Sequence, residues 1–302
     1  MKQFLPIFLL PALCLCAFAD EYQAEAVLSK AEGEPFRAWI IAATTTQIRY
    51  KVTNVAAAFV DAKILDFTTI HLMDPPEFSA AMDLLEGRKY KEAQEKFAQV
   101  KSVSKPIAAM KDNHYTLSSY YEMECMRQLG DYKGLQTALQ SFVKEPLTRD
   151  YQLRQLDLYV MWEAVRQKAW DKLVIVASER DAETLPGDQR AQVAYCKGLA
   201  LDNLGRGEEA LIEYGIAITA DSGASEQVTE QAALNALGIY LKNEQVQTAI
   251  KDWGTTNENK NSQGYNRLLE AVALADFYKK YLSIGKPLTE DYKKLLKFLP
   301  AK

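Results

Sequence analysis

Residues 191–221 read AQVAYCKGLALDNLGRGEEALIEYGIAITAD, and this stretch decides the fold. Apolar residues recur at helical spacing on both sides of Gly205-Arg206-Gly207, so two helices meet at a tight turn. Small residues at Gly198, Ala210 and Ala217 let the two helices approach closely, and Tyr214 is the large side chain between them.

In order, Gly198, Ala210, Tyr214 and Ala217 resemble the signature of a tetratricopeptide repeat: a small residue midway along a first helix, a turn, then alanine, aromatic and alanine along a second. The resemblance departs from the family at Ala194 and Lys197, where an aromatic and a leucine are usual, and at Ser222, where a proline is usual. It implies an α-solenoid of helix pairs whose work is to hold other proteins.

Weaker echoes lie on either side. Gly87, Ala93 and Phe97 repeat the pattern between helices expected at 78–86 and 90–101. A second pair is expected at 107–129 and from the Gly130-Asp131-Tyr132 turn to Val143, with Leu135 in the alanine place. A third covers 149–167 and 170–180. A fifth covers 226–243 and 246–253, with Ala249 and Trp253 in the alanine and aromatic places. Ala93, Leu135, Leu173, Ala210 and Ala249 are 42, 38, 37 and 39 residues apart, against about 34 in the family. Plain paired helices are therefore an alternative for the weaker units. Helices at 264–282 and 289–299 close the chain, the last with a lysine-rich face suited to a cap.

Ahead of the helices the period is two. Gln47 to Val52 alternates polar and apolar, and further strands are expected at 36–44, 57–65 and 68–72. A module this small, closed as a barrel or left as a twisted sheet, has a modest core and must lean on the helices behind it. Asp74-Pro75-Pro76-Glu77 ends it, because consecutive prolines cannot continue a ladder. The expected class is thus α+β, mainly α: residues 20–75 a β module, residues 76–302 tetratricopeptide-like helices with terminal caps. Residues 1–19, an apolar run ending Ala17-Phe18-Ala19, read as a secretory signal peptide. The run is too short for a membrane span, and Leu13 and Leu15 precede Cys14 and Cys16 where a lipoprotein signal needs a small residue. Export to a periplasm or cell surface follows.

Cleavage leaves Cys125 and Cys196, in non-adjacent units, which read as buried small apolar residues. The formal net charge of −4, with both signs interspersed, argues against nucleic acid as a partner. His71 and His114 have no Ser, Cys or carboxylate at a catalytic spacing, and no metal or phosphate motif is present. No catalytic residue, metal or cofactor is expected. By the resemblance, the stripe facing a peptide groove is Gln192, Tyr195, Leu199 and Asp202 in the strong unit, and Tyr120, Glu124 and Arg127 earlier. Cys196 and Leu199 stand in two places of the family's carboxylate clamp, so that ligand mode is not implied. The functional expectation is a scaffold with a protein or peptide partner. The alternatives are a structural subunit of an envelope assembly and a glycan or peptidoglycan binder near His71.

Overall fold

The structure, a computed structural model, describes residues 22–181, 183–220, 226–282 and 287–299. The signal-peptide segment and Ser222 lie outside the described residues. The chain opens with five strands: β1 (Ala24–Ser29), β2 (Phe36–Ala43), β3 (Gln47–Lys51), β4 (Val60–Lys63) and β5 (Thr69–Leu72). They form one open antiparallel sheet in the order β4-β3-β2-β1-β5. A sheet, not a barrel, is what these strands make.

Alternation sets the sheet's buried face, with Ala24, Ala26 and Leu28 of β1 meeting Ala38 and Ile40 of β2 and Ile48 and Tyr50 of β3. The register of β2 on β3 shifts between Ile40 and Ala42, and this bulge accompanies the burial of two consecutive isoleucines, Ile40 and Ile41. Ile107 and Met110, from the segment after the second helix, complete that core. The sheet leans on the helical part, as its small area requires.

The helices follow as α1 (Pro76–Glu86), α2 (Tyr90–Ser104), α3 (His114–Leu129), α4 (Tyr132–Gln140), α5 (Asp150–Gln167), α6 (Trp170–Asp181), α7 (Gly187–Asn203), α8 (Gly207–Ala220), α9 (Glu226–Lys242), α10 (Glu244–Asp252), α11 (Gln263–Phe277) and α12 (Glu290–Lys293). Pro76 opens α1 at the first helical position, where its missing N–H costs nothing. Gly130 and Gly205, at φ 74° and 77°, take the left-handed conformation that ends α3 and follows α7. Inside the strong unit a Cβ on Gly198 would lie 2.8 Å from the Tyr214 ring, so α7 and α8 meet at a distance only glycine permits. Ala93, Phe97, Ala210, Tyr214 and Ala217 are all fully buried. Each pair packs on the next, and α5, α7, α9 and α11 also touch in series.

Of the boundaries that differ from the sequence reading, three bear on the packing. The first helix of the second pair begins at His114, not near Ile107. Pro106 sits in a 3₁₀ turn and the Asn113 side chain caps α3 by accepting from the Thr116 N–H. β4 keeps only Val60–Lys63 of the expected 57–65, because Ala57 to Phe59 pair with no strand. Trp253 lies just past the end of α10 with an extended backbone. It stacks on Tyr265 at 5.2 Å, where a helix-borne aromatic had been expected.

Candidate interaction surfaces

The first-helix stripe is built from polar and aromatic side chains at three- and four-residue spacing. Gln152, Gln155, Tyr159 and Trp162 share one face of α5, and Gln189 and Gln192 share one face of α7. Gln155 and Gln192 donate to each other's side-chain oxygens, both at 3.0 Å, and the Trp162 indole donates to Gln192 Oε1 at 3.1 Å. Gln189 Nε2 donates to the Tyr151 carbonyl at 2.9 Å. Toward α3, the Tyr159 hydroxyl donates to Glu124 Oε2 at 2.9 Å, and Glu124 also receives Arg127 Nε at 2.9 Å.

The Arg127 guanidinium lies 5.6 Å from the Trp162 ring. Burial works against its charge, but the Glu124 carboxylate and the bonds to it outweigh that and push its pKa up. Tyr132, Trp162 and Tyr195 then stack in sequence at 5.1 and 6.0 Å. Beyond them Asn235 of α9 donates to the Tyr214 hydroxyl at 3.2 Å, and the Tyr278 hydroxyl following α11 donates to Glu230 of α9 at 2.8 Å. The result is a polar spine that ties the helix pairs together from α3 to α11.

This changes the place of the expected groove residues. Tyr120, Arg127 and Gln192 are 2%, 3% and 1% exposed. They are interior, and the reading of Tyr120 as a ring open to a ligand is corrected. Glu124 and Tyr195 are partly buried members of the same spine, while Leu199 and Asp202, further along α7, are half-buried. Helical spacing put these residues on one face correctly; the neighbouring helix covers much of that face. Gln155, Tyr159 and Trp162 complete the spine. Their polar and aromatic repeat along α5 is the signal that could have found the partners.

Several concave sites lie elsewhere, and two of them bear on the sequence reading. A polar cleft of about 430 Å³ sits between α10 and the start of α11, lined by Asp252, Asn257, Glu258, Gln263 and Tyr265 among others. A smaller one of about 290 Å³ lies where the sheet meets the helices, beside Trp39, Glu25 and His114. There His114 Nε2 stands 3.1 Å from Asp74 Oδ1, joining the β5–α1 boundary to the start of α3. Burial lowers the His114 pKa, with Asp74 pulling the other way. Cys125 and Cys196 are free and buried, and burial pushes the Cys125 thiol up to about 12. Among the described residues no three His, Cys, Asp or Glu side chains gather to hold a metal, and no helix is long and apolar enough to cross a membrane.

The most exposed apolar residues concentrate in the β module. Leu65 and Val55 are 93% and 86% exposed, and Val52, Phe59 and Val60 also face water. Phe59, Val60 and Leu65 lie in or next to β4, the edge strand of the sheet, and Val52 and Val55 lie in the loop that leads to it.

The fold therefore defines a mainly helical protein with an N-terminal five-stranded open sheet. No family model, curated protein or solved structure matches the chain.

Proposed function

We propose that the protein is an exported, non-catalytic scaffold of the bacterial cell envelope, in the periplasm or on the cell surface. Its tetratricopeptide-like helix pairs hold a protein or peptide partner. The observation that supports this most is the serial packing of helix pairs around the close Gly198–Tyr214 contact, with side-chain bonds that tie α3 to α5 and α5 to α7. Such an array has helix faces as its main outer surface, and a helix face recognises protein segments. Leu199 and Asp202 are the members of the family-implied stripe that the spine leaves half-accessible.

A photo-cross-linking amino acid at Leu199 or Asp202, installed in the native envelope, tests the reading. It predicts one discrete protein adduct from these positions and none from Ile212, which is exposed on α8. Equal labelling from Ile212, or no adduct from α7, contradicts it. A second reading, a structural subunit of an envelope assembly, is favoured by the apolar surface around β4, since water-exposed clusters of large apolar side chains mark association sites.

A further inference from the structure

The outer side of β4 has no strand partner among the described residues. Such an edge presents backbone donors and acceptors and is a template for another strand, and here the Lys63 N–H, held by Asp66 Oδ2 at 3.1 Å, exchanges that side-chain partner for a strand carbonyl on pairing. Natural edges are protected by charge, and β4 carries Asp61 and Lys63 on its exposed face. Those two charges repel most incoming strands, yet one partner satisfies both: β4 of a second copy.

The register can be derived. Along β4 the side chains alternate, with Val60 and Ala62 on the face of their ladder partners Tyr50 and Ile48, and Asp61 and Lys63 on the face of Arg49 and Gln47. In an antiparallel pair, directly opposed residues point to the same face. Two copies related by a two-fold axis through Ala62 therefore place Asp61 opposite Lys63 and Ala62 opposite itself, while Val60 faces Ile64, where the partner's chain leaves β4 for its 3₁₀ turn. The inner row is apolar against apolar and the outer row acid against base, twice by symmetry. Shifting the pairing by one residue sets Val60 against Lys63 and turns the buried face of one sheet onto the solvent face of the other. Asp61 is already held in place by Arg49, whose Nε donates to its Oδ1 at 2.8 Å, and Arg49 lies 4.2 Å from the Phe59 ring. Leu65 and Phe59 flank β4 in sequence and supply apolar surface.

We propose that the protein self-associates through β4, joining two five-stranded sheets into one ten-stranded sheet with both helical parts on the same face. This goes beyond the scaffold reading and holds whether or not the helix pairs bind a partner. If they do, a dimer presents two arrays at once and gains avidity. A four-residue seam is small beside the roughly 1,200–2,000 Å² of a stable interface. A reversible, concentration-dependent dimer is therefore expected.

Sedimentation velocity over a wide range of protein concentration tests the proposal, with circular dichroism to verify the fold of each variant. Lys63→Asp makes the outer row wholly acidic, and Asp61→Lys makes it wholly basic. The second change removes only an exposed ion pair, whose loss leaves the fold standing. Each variant alone is expected to lose dimer affinity by about tenfold or more, and an equimolar mixture is expected to recover it. Three results overturn the proposal: a wild-type protein monomeric at every concentration, dimerisation unaffected by either charge change, or a mixture that fails to recover. Association lost in Leu65→Ser but indifferent to charge also overturns it, because it means apolar adhesion without the strand register.

Discussion

The α5–α7 contact and the β4 edge handle polar groups in opposite ways. Between α5 and α7, Gln155, Gln192 and Trp162 are removed from water and bonded to one another, so the contact is closed to any further partner. At β4 the backbone edge and several large apolar side chains stand in water. The helices carry the family-like pattern, yet three of the seven residues that the pattern assigned to binding are interior. The region with the least motif carries the most exposed large apolar side chains, Leu65 and Val55. A repeat signature thus tells which residues share a helix face, while the packing decides which faces remain for a partner.

The largest effect that separates the two regions is expected from Tyr214→Ala. Removing a fully buried ring wedged against Gly198 costs about 3–5 kcal/mol, read from thermal or denaturant unfolding. If the loss is small, the α7–α8 interface is looser than the 2.8 Å approach implies.

Overpacking the same helix pair with Ala210→Trp is expected to cost on the order of 1–3 kcal/mol. Gln192→Leu leaves Gln155 and the Trp162 indole short of partners, at about 1–3 kcal/mol for the stranded polar groups. The Gln155→Leu/Gln192→Leu double variant is expected to lose less than the two single losses together. A strictly additive cycle breaks the description of the spine as one coupled unit.

A pH effect is expected at the joint between sheet and helices. His114 is held below its ordinary 6.5 by burial. Above that value it is neutral both folded and unfolded, so stability does not change on its account. As pH falls below it the unfolded chain takes up a proton that the folded chain resists, and stability declines until folded His114 also titrates. Denaturant midpoints measured from neutral to acidic pH check this. His114→Gln flattens the decline if His114 is its source, and an identical decline in the variant assigns it to carboxylates instead. The smallest stability effect belongs to Leu65→Ser at the sheet edge, within about 0.5 kcal/mol for a monomer.

The α7–α8 pair was legible because four small or aromatic residues at fixed helical offsets describe one contact between two neighbouring helices. The β module was legible where alternation is strict, as in Gln47 to Val52, and its dependence on the helices followed from its size. The limits of β4 were not. Ala57 to Phe59 and Ile64 to Leu65 are as apolar as a strand would be, and the extent of pairing is set by β3 and by the 3₁₀ turn at Ile64–Asp66, which a local window does not contain. Nor was the burial of Tyr120, Arg127 and Gln192. A polar residue on a helix stripe looks the same in sequence whether water or a neighbouring glutamine satisfies it, and the partners lie 30 to 37 residues away in the cases of Trp162 and Gln155 with Gln192.

Hydrogen exchange resolved by peptide, recorded at a low and a high protein concentration, compares the two regions in one experiment. The account predicts that α5 and α7 exchange slowly and identically at both concentrations. Of the β4 amides, that of Asp61, which faces the open edge, is predicted to exchange quickly when dilute and to gain protection when concentrated. Fast exchange along α7, or a β4 edge equally protected at both concentrations, contradicts it.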